Sequence, residues 1–319
     1  MATLKPIHAA AIERLRKYVP PPTQYYSLPV SRRAAVLILL YADAQGELRV
    51  VLTMRATTLS SYAGQAALPG GKADDLTETP FQTARREAFE EIGLPLSDDK
   101  LPKPFRIEHL CQLPTNFART ELGVRPCVAF LSPHPDWPKD KPVPNVEETL
   151  IPRLDAREVA AVFTAPLHNF LKEKLESDTN EERWYDGLWM DWNNTRWRFH
   201  NFYVPVAGQR VAWASPTSTS SPAVGSTSLP YRDIPRSAKV AAKEVEETTK
   251  RFRVFGMTGR IMVDAARVAY GEAPEFEHTM HLGDEDMIGN MLKEGRLGPL
   301  LRKRPGDHED GDAAAAAKI

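Results

Sequence analysis

The chain has 319 residues, 42% of them hydrophobic and 26% charged, which suits one large domain with additions or two modest ones and excludes a mini-scaffold. Its 41 lysines and arginines against 42 aspartates and glutamates leave a formal charge of -1, so no global field recruits nucleic acid or an acidic membrane and any charge-driven function is local. Cys111 and Cys127 fit neither a disulfide framework nor a zinc site with paired short spacings, no apolar run approaches the ~18 residues that span a bilayer, and no signal-peptide core follows Met1. These features predict a soluble, intracellular protein in a reducing compartment.

Near the start, Ile7, Ile12, Leu15 and Val19 recur at roughly helical spacing until Pro20, Pro21 and Pro22 stop the pattern. Lys5, Arg14, Arg16 and Lys17 give this helix some likeness to a mitochondrial presequence, but an amphipathic helix packed on its own domain is the commoner case. The apolar runs Arg33 to Tyr41 and Leu48 to Thr53 read as two buried strands joined by a hairpin. A segment punctuated by Gly and Pro ends in Leu68-Pro69-Gly70-Gly71, and a helical stretch follows from Pro80 to Ile92, stopped by Gly93.

Strand patterns recur at Ile107 to Leu113, Arg125 to Leu131 and Val159 to Thr164, and a short helix is expected around Leu167 to Leu175. Strands and helices without a regular βα repeat predict an α/β fold with a mixed sheet and helices on its faces. Five of the six tryptophans (Trp184, Trp189, Trp192, Trp197 and Trp213) lie close together, and Trp184 to Val204 reads as a β-ribbon turning at Asn193-Asn194. Ser215 to Pro230 is a Ser/Thr/Pro loop expected to be disordered. A charged helix near Ala238 to Arg251, an apolar one near Thr258 to Tyr270 and an unstructured tail from Gly306 complete the chain. His168 and His200 have no partner at metal or triad spacing and read as structural. No nucleophile elbow or Walker-type glycine loop is present.

The chemistry concentrates between Gly71 and Leu94. On a helix Glu87, Glu90 and Glu91 project from one side, where like charges at these spacings cost roughly 0.2 to 0.5 kcal/mol per pair. A divalent cation reverses that sign, and carboxylates without histidine or cysteine select a hard ion, Mg²⁺ or Mn²⁺. The ordinary alternative is a solvated salt-bridge face with Lys72, Arg85 and Arg86. Gly70 and Gly71 let backbone groups approach a phosphate or metal closely.

These residues resemble the Nudix box: a glycine, then a glutamate, then Arg-Glu-aliphatic-x-Glu-Glu-x-Gly-aliphatic. Glu78, Arg86, Glu87, Glu90, Glu91, Gly93 and Leu94 match it, Ala88 stands at the aliphatic position, and one extra residue separates Gly71 from Glu78. The resemblance implies a Nudix hydrolase, an α/β/α sandwich in which a metal-assisted water attacks a diphosphate, with Arg86 orienting the glutamates. Upstream, Thr53, Arg55, Ala56, Gly64, Pro69, Gly70 and Gly71 are similar to the motif of the coenzyme A diphosphatase branch, from which Val51, Ser60 and Leu68 depart. Ser60 stands where that motif has an arginine, which removes a cation.

The resemblance therefore implies cleavage of coenzyme A or acyl-CoA to 3′,5′-ADP and 4′-phosphopantetheine or its acyl form. Glu87, Glu90, Glu91 and Arg86 would be catalytic, the three glutamates holding the metal, and Arg55, Gly70 and Gly71 would bind substrate. Neither nucleic acid nor membrane is expected as a partner. The alternatives are a broader hydrolase of ADP-ribose, NADH or oxidised nucleotides, and a Nudix-fold binding module without catalysis.

The expected organisation is a helix and Pro-rich lead-in over 1–30, a Nudix domain over 31–270 with a Trp-rich β-ribbon insertion at about 176–250 and C-terminal helices, and an extension and tail over 271–319. The final Ala317-Lys318-Ile319 resembles the small-basic-aliphatic tripeptide read by the peroxisomal import receptor. This favours the peroxisome over cytoplasm or mitochondrion.

Overall fold

A continuous apolar strand needs cover on both faces, and Arg33–Ala42 (β1) receives it. In the computed structural model of the chain, Ala35, Leu37, Leu39 and Tyr41 point to one side of the sheet and Ile38 and Leu40 to the other, each set entering its own hydrophobic cluster. The structure describes residues 4–55, 65–138, 140–150, 159–175, 184–193, 195–207, 209, 211–213 and 251–299. The expected 215–230 loop, the 238–250 part of the charged helix and the tail from Gly306 lie outside them.

The first cluster is closed by helix α2, Pro80–Ile92, through Ala84, Ala88 and Ile92. Its ends are set locally. Thr79 and Gln82 form a reciprocal capping box, Pro80 takes the first turn where no donor is needed, and Gly93 ends the helix at φ 68°. The second cluster is covered by helix α1, Pro6–Lys17, and by the helix Gly256–Tyr270. Helix α1 buries His8, Ala11, Ile12 and Leu15, whereas Ile7 is 43% exposed and Val19 84% exposed. The helix ends before Val19, so the apolar period does not carry that residue inward.

The main sheet is mixed. Strands β2 (Leu48–Arg55), β5 (Phe105–Gln112), β7 (Gly123–Pro133), β8 (Val159–Pro166) and β11 (Ala212–Trp213) join β1 in the order β11-β8-β2-β1-β7-β5. The short strands β3 (Ala66–Ala67), β4 (Gly70–Lys72) and β6 (Asn116–Phe117) pair with β2, β1 and β7. Only the β1–β7 pair is parallel among the described strands. The result is a sheet between helical layers.

A second, three-stranded sheet holds Trp189, Trp192 and Trp197, with Trp184 just before it, whereas Trp213 joins the main sheet in β11. Strands β9 (Tyr185–Trp192) and β10 (Thr195–Pro205) pair antiparallel, and β12 (Arg251–Phe255) adds to the other edge of β10. Arg251 thus begins a strand, where the sequence pattern had placed a helix end. Its neighbours Phe252 and Val254 alternate inward, with the Phe163 ring tilted against Phe252 at 4.3 Å between centres, a two-residue period that the charged run before it masks. The short helix expected over Leu167 to Leu175 is instead a 3₁₀ turn, His168–Leu171. Its Asn169 carbonyl accepts from Lys172 N–H and from the indole Nε1 of buried Trp184, which holds the chain in a tight turn and sends it away from an α-helical path.

The helix Glu285–Lys293 packs Ile288 and Met291 against Leu28 and Phe117. Two acids at its start fasten it. Asp284 pairs with Arg260 at 2.6 Å and accepts from Phe117 N–H at 2.9 Å. Glu285 accepts from Thr115 N–H and Gln24 N–H, each at 2.7 Å, and from Arg125 at 3.0 Å.

Candidate active site

Strand β4 lies on the N-terminal half of β1, with Gly70 opposite Val36, Gly71 opposite Ala35 and Lys72 opposite Ala34. Helix α2 packs across this corner. Two glycines let the layers close. A Cβ on Gly70 would lie 2.3 Å from the Ala35 carbonyl oxygen, and one on Gly71 would lie 2.4 Å from Cδ of Glu87. The space at Gly71 is therefore filled by the Glu87 carboxylate, and that of Glu91, 8% exposed, accepts the Gly70 N–H at 3.1 Å. Glu90 sits on the more open side of the same helix.

Arg86 ties this corner together. Its Nε donates to Glu78 Oε1 at 2.9 Å, its Nη1 to Glu87 Oε1 at 3.0 Å and Glu90 Oε2 at 3.2 Å, and its Nη2 to the Lys72 carbonyl at 2.8 Å. Asp74 approaches Nε at 3.3 Å. Hydrogen bonding to Glu78 and the surrounding carboxylates raise the pKa of Arg86 further above its ordinary value. Burial pushes Glu78 up, but the Arg86 guanidinium and the Asp74 N–H outweigh it and hold that carboxyl low. At Glu87 burial wins over Arg86, aided by Glu90, and its pKa is raised. Among the described residues no three acidic, histidine or cysteine side chains converge as a ready metal site. Arg86 takes oxygens of both Glu87 and Glu90.

Six of the residues singled out from the sequence thus come together: Gly70, Gly71, Arg86, Glu87, Glu90 and Glu91. Arg55 ends β2, opposite Val159 after a register shift from Met54; its side chain, like Ser60, lies outside the described residues. Glu78 was visible as a motif position but carried no assigned role, and the structure makes it an anchor of Arg86. The contributions of the Lys72 carbonyl and the Gly70 N–H have no sequence signal, because any residue type supplies them. His200 Nδ1 meets the Tyr185 hydroxyl at 3.1 Å and His168 Nε2 meets Glu272 at 2.9 Å, both outside this corner.

The chain is similar to several known proteins. Residues 31–206 match the NUDIX domain. A Saccharomyces cerevisiae protein named peroxisomal coenzyme A diphosphatase 1 is 29% identical over 303 residues, covering 87% of this chain and 81% of its own. Arabidopsis thaliana Nudix hydrolase 15, mitochondrial, is 36% identical over 54% of this chain and 50% of its own. Caenorhabditis elegans peroxisomal coenzyme A diphosphatase ndx-8 is 33% identical over 45% of this chain and 53% of its own. The match therefore spans about half the length of the plant and nematode proteins. A crystal structure of a C. elegans Ap4A hydrolase binary complex overlaps with a TM-score of 0.29 at 19% identity, over 42% of this chain and 80% of that one. With its NUDIX match across more than half its length, the chain belongs to the Nudix family of hydrolases.

Proposed function

We propose that the protein hydrolyses the diphosphate of coenzyme A and acyl-CoA with a bound Mg²⁺ or Mn²⁺, releasing 3′,5′-ADP and 4′-phosphopantetheine or its acyl form. The observation that carries the chemistry is the packing of Glu87 and Glu91 onto Gly71 and Gly70, with Arg86 bridging Glu87 to Glu90. The donors are all carboxylates, which suits a hard divalent ion, and the missing Cβ of Gly71 leaves the room that Glu87 occupies. The chemistry of these donors therefore suits the metal, which Glu87, Glu90 and Glu91 would hold.

When bound, the ion neutralises charge developing on the diphosphate oxygens and lowers the pKa of the attacking water. The protein's own part is positional. Gly70 N–H fixes Glu91, and Arg86 aligns Glu87 and Glu90 while Glu78 fixes Arg86. In the reaction a water oxygen bonds to one phosphorus, the bridging P–O bond breaks, and the water proton is released.

The choice of coenzyme A rests on the upstream motif through Thr53, Arg55, Gly70 and Gly71 and on two relatives named as coenzyme A diphosphatases. The same relatives are named peroxisomal, and we place this protein there too, delivered by the import receptor. Incubation with CoA, acetyl-CoA, ADP-ribose and NADH in Mg²⁺, followed by chromatography, tests the substrate. Release of 3′,5′-ADP from CoA supports the reading. Cleavage of ADP-ribose with CoA untouched assigns the broader hydrolase instead.

A further inference from the structure

Strand β12 brings a preorganised arginine to the flank of the catalytic corner. β12 packs beside β3, and β3 runs through Leu68 and Pro69 into Gly70. One residue past Phe255, Gly256 (φ 60°) turns the chain into the helix Gly256–Tyr270. Met257 then packs on the small cluster of Ala34, Ala118 and Val124. Ala34 is the β1 partner of Lys72 in β4. The Phe255 end of β12 is thus fixed beneath this corner, on the face of the sheet opposite α2.

Arg253 lies on this strand, exposed, with its guanidinium 4.5 Å from the centre of the Phe255 ring. Its Nε and Nη2 donate to Oδ1 of Asn201 at 2.9 and 2.6 Å. Asn201 is only 2% exposed and paired in register with Phe255. A side chain rich in rotamers is thereby held in one place by a neutral amide and an aromatic face. Among the described residues no carboxylate meets it, in contrast to Arg198 with Glu277, Arg260 with Asp284 and Arg267 with Asp264. Phe199, 5.9 Å from Phe255 between ring centres, extends the apolar surface. A fixed planar cation beside an aromatic surface suits a phosphate monoester carried on a nucleotide.

We propose that Arg253 binds the 3′-phosphate of the substrate's adenosine half, making the Arg253–Phe255–Asn201 group a specificity determinant. The proposal rests on the diphosphatase reading above and deepens it. On that reading the diphosphate sits at the Glu87, Glu90 and Glu91 corner, and a cation on the second sheet, where β12 packs beside β3, serves a second phosphate that reaches past the sheet edge. Among adenine nucleotides, that selects a 3′-phosphorylated one over its 3′-hydroxyl counterpart.

The test is calorimetric binding of 3′,5′-ADP and of 5′-AMP to the full-length protein, as wild type, Arg253→Gln and Arg253→Lys, with melting curves for each. Wild type should prefer 3′,5′-ADP. Arg253→Gln should weaken that ligand about tenfold, the scale of one charge-assisted hydrogen bond, while leaving 5′-AMP unchanged, and Arg253→Lys should recover part of the loss. Equal loss for both ligands, no loss, or a wild type indifferent to the 3′-phosphate overturns the proposal. The paired kinetics of CoA and dephospho-CoA separate the two readings. If wild type cleaves neither, the diphosphatase reading fails while the binding result still decides Arg253. If it cleaves CoA and Arg253→Gln keeps the CoA to dephospho-CoA ratio of kcat/KM, only the Arg253 assignment fails.

Discussion

Gly71 and Glu87 occupy one another's space: a Cβ on the glycine would fall 2.4 Å from Cδ of the glutamate and 2.5 Å from each of its oxygens. The clash involves the far end of a flexible side chain, so folding can tolerate it. Gly71→Ala should accordingly displace the Glu87 carboxylate and lower kcat/KM by at least about tenfold, a barrier of ~1.4 kcal/mol, with little change in Tm. Activity assays alongside thermal melting check this; an alanine variant with full activity would show that Glu87 reaches its working position by another path.

The carboxylates themselves separate charge from shape. Glu91→Gln keeps an oxygen to accept the Gly70 N–H, and Glu87→Gln keeps the volume beside Gly71. Both should retain a native fold, and both should lose most turnover at limiting Mg²⁺, because a neutral amide is a poor ligand for a hard cation. Circular dichroism and turnover measured across a metal titration decide it. Turnover at wild-type level in both variants would remove these residues from the site.

The buried pair Arg260–Asp284, 2% and 3% exposed, also carries the Phe117 N–H contact that fastens the residues around the Glu285–Lys293 helix. Asp284→Ala strands a buried guanidinium, a change that typically costs about 3 to 5 kcal/mol. Urea unfolding should show a loss of that size. Limited proteolysis should show early cleavage between 271 and 299. A loss under about 1 kcal/mol would place the pair in the class of weak surface ion pairs.

A pH dependence of stability follows from His200. Burial, with Arg198 and Arg260 nearby, lowers its imidazole to about 3, whereas a histidine in the unfolded chain titrates near ~6.5. Between these values the unfolded state carries a proton that the folded state refuses, so stability rises with pH and is lost as pH falls from about 6.5 toward 3. His200→Gln, which retains a polar group for Tyr185, should flatten the slope between pH 7.5 and 5 in urea titrations. An unchanged slope would show that another group governs the acid limb.

The local code was legible wherever short-range chemistry decides structure. Thr79, Pro80, Gln82 and Gly93 delimit α2 by capping alone, and the Arg33 to Tyr41 run marks a strand covered on both faces. The spacing of Glu87, Glu90 and Glu91 places them together on one helix, so the acid cluster could be found without a fold. Arg251 shows where this stops. It reads as the end of a charged helix, but β10 offers a sheet edge, and the inward alternation of Phe252 and Val254 makes pairing there more favourable than helical propensity.

By itself the sequence determined the residue types of the proposed site, the hard-ion chemistry they would suit and the helix that carries them, because i, i+3 and i+4 neighbours meet through backbone geometry alone. Only the tertiary structure decided what surrounds them. The Gly70 N–H reaches Glu91 across 21 residues, the Lys72 carbonyl reaches Arg86 across 14, and Asn201 holds Arg253 across 52. Such contacts depend on which strands pair and in which register. Backbone groups carry no identity in the sequence, and strand register is set by burial over the whole sheet, so these partners exist only once the layers have packed.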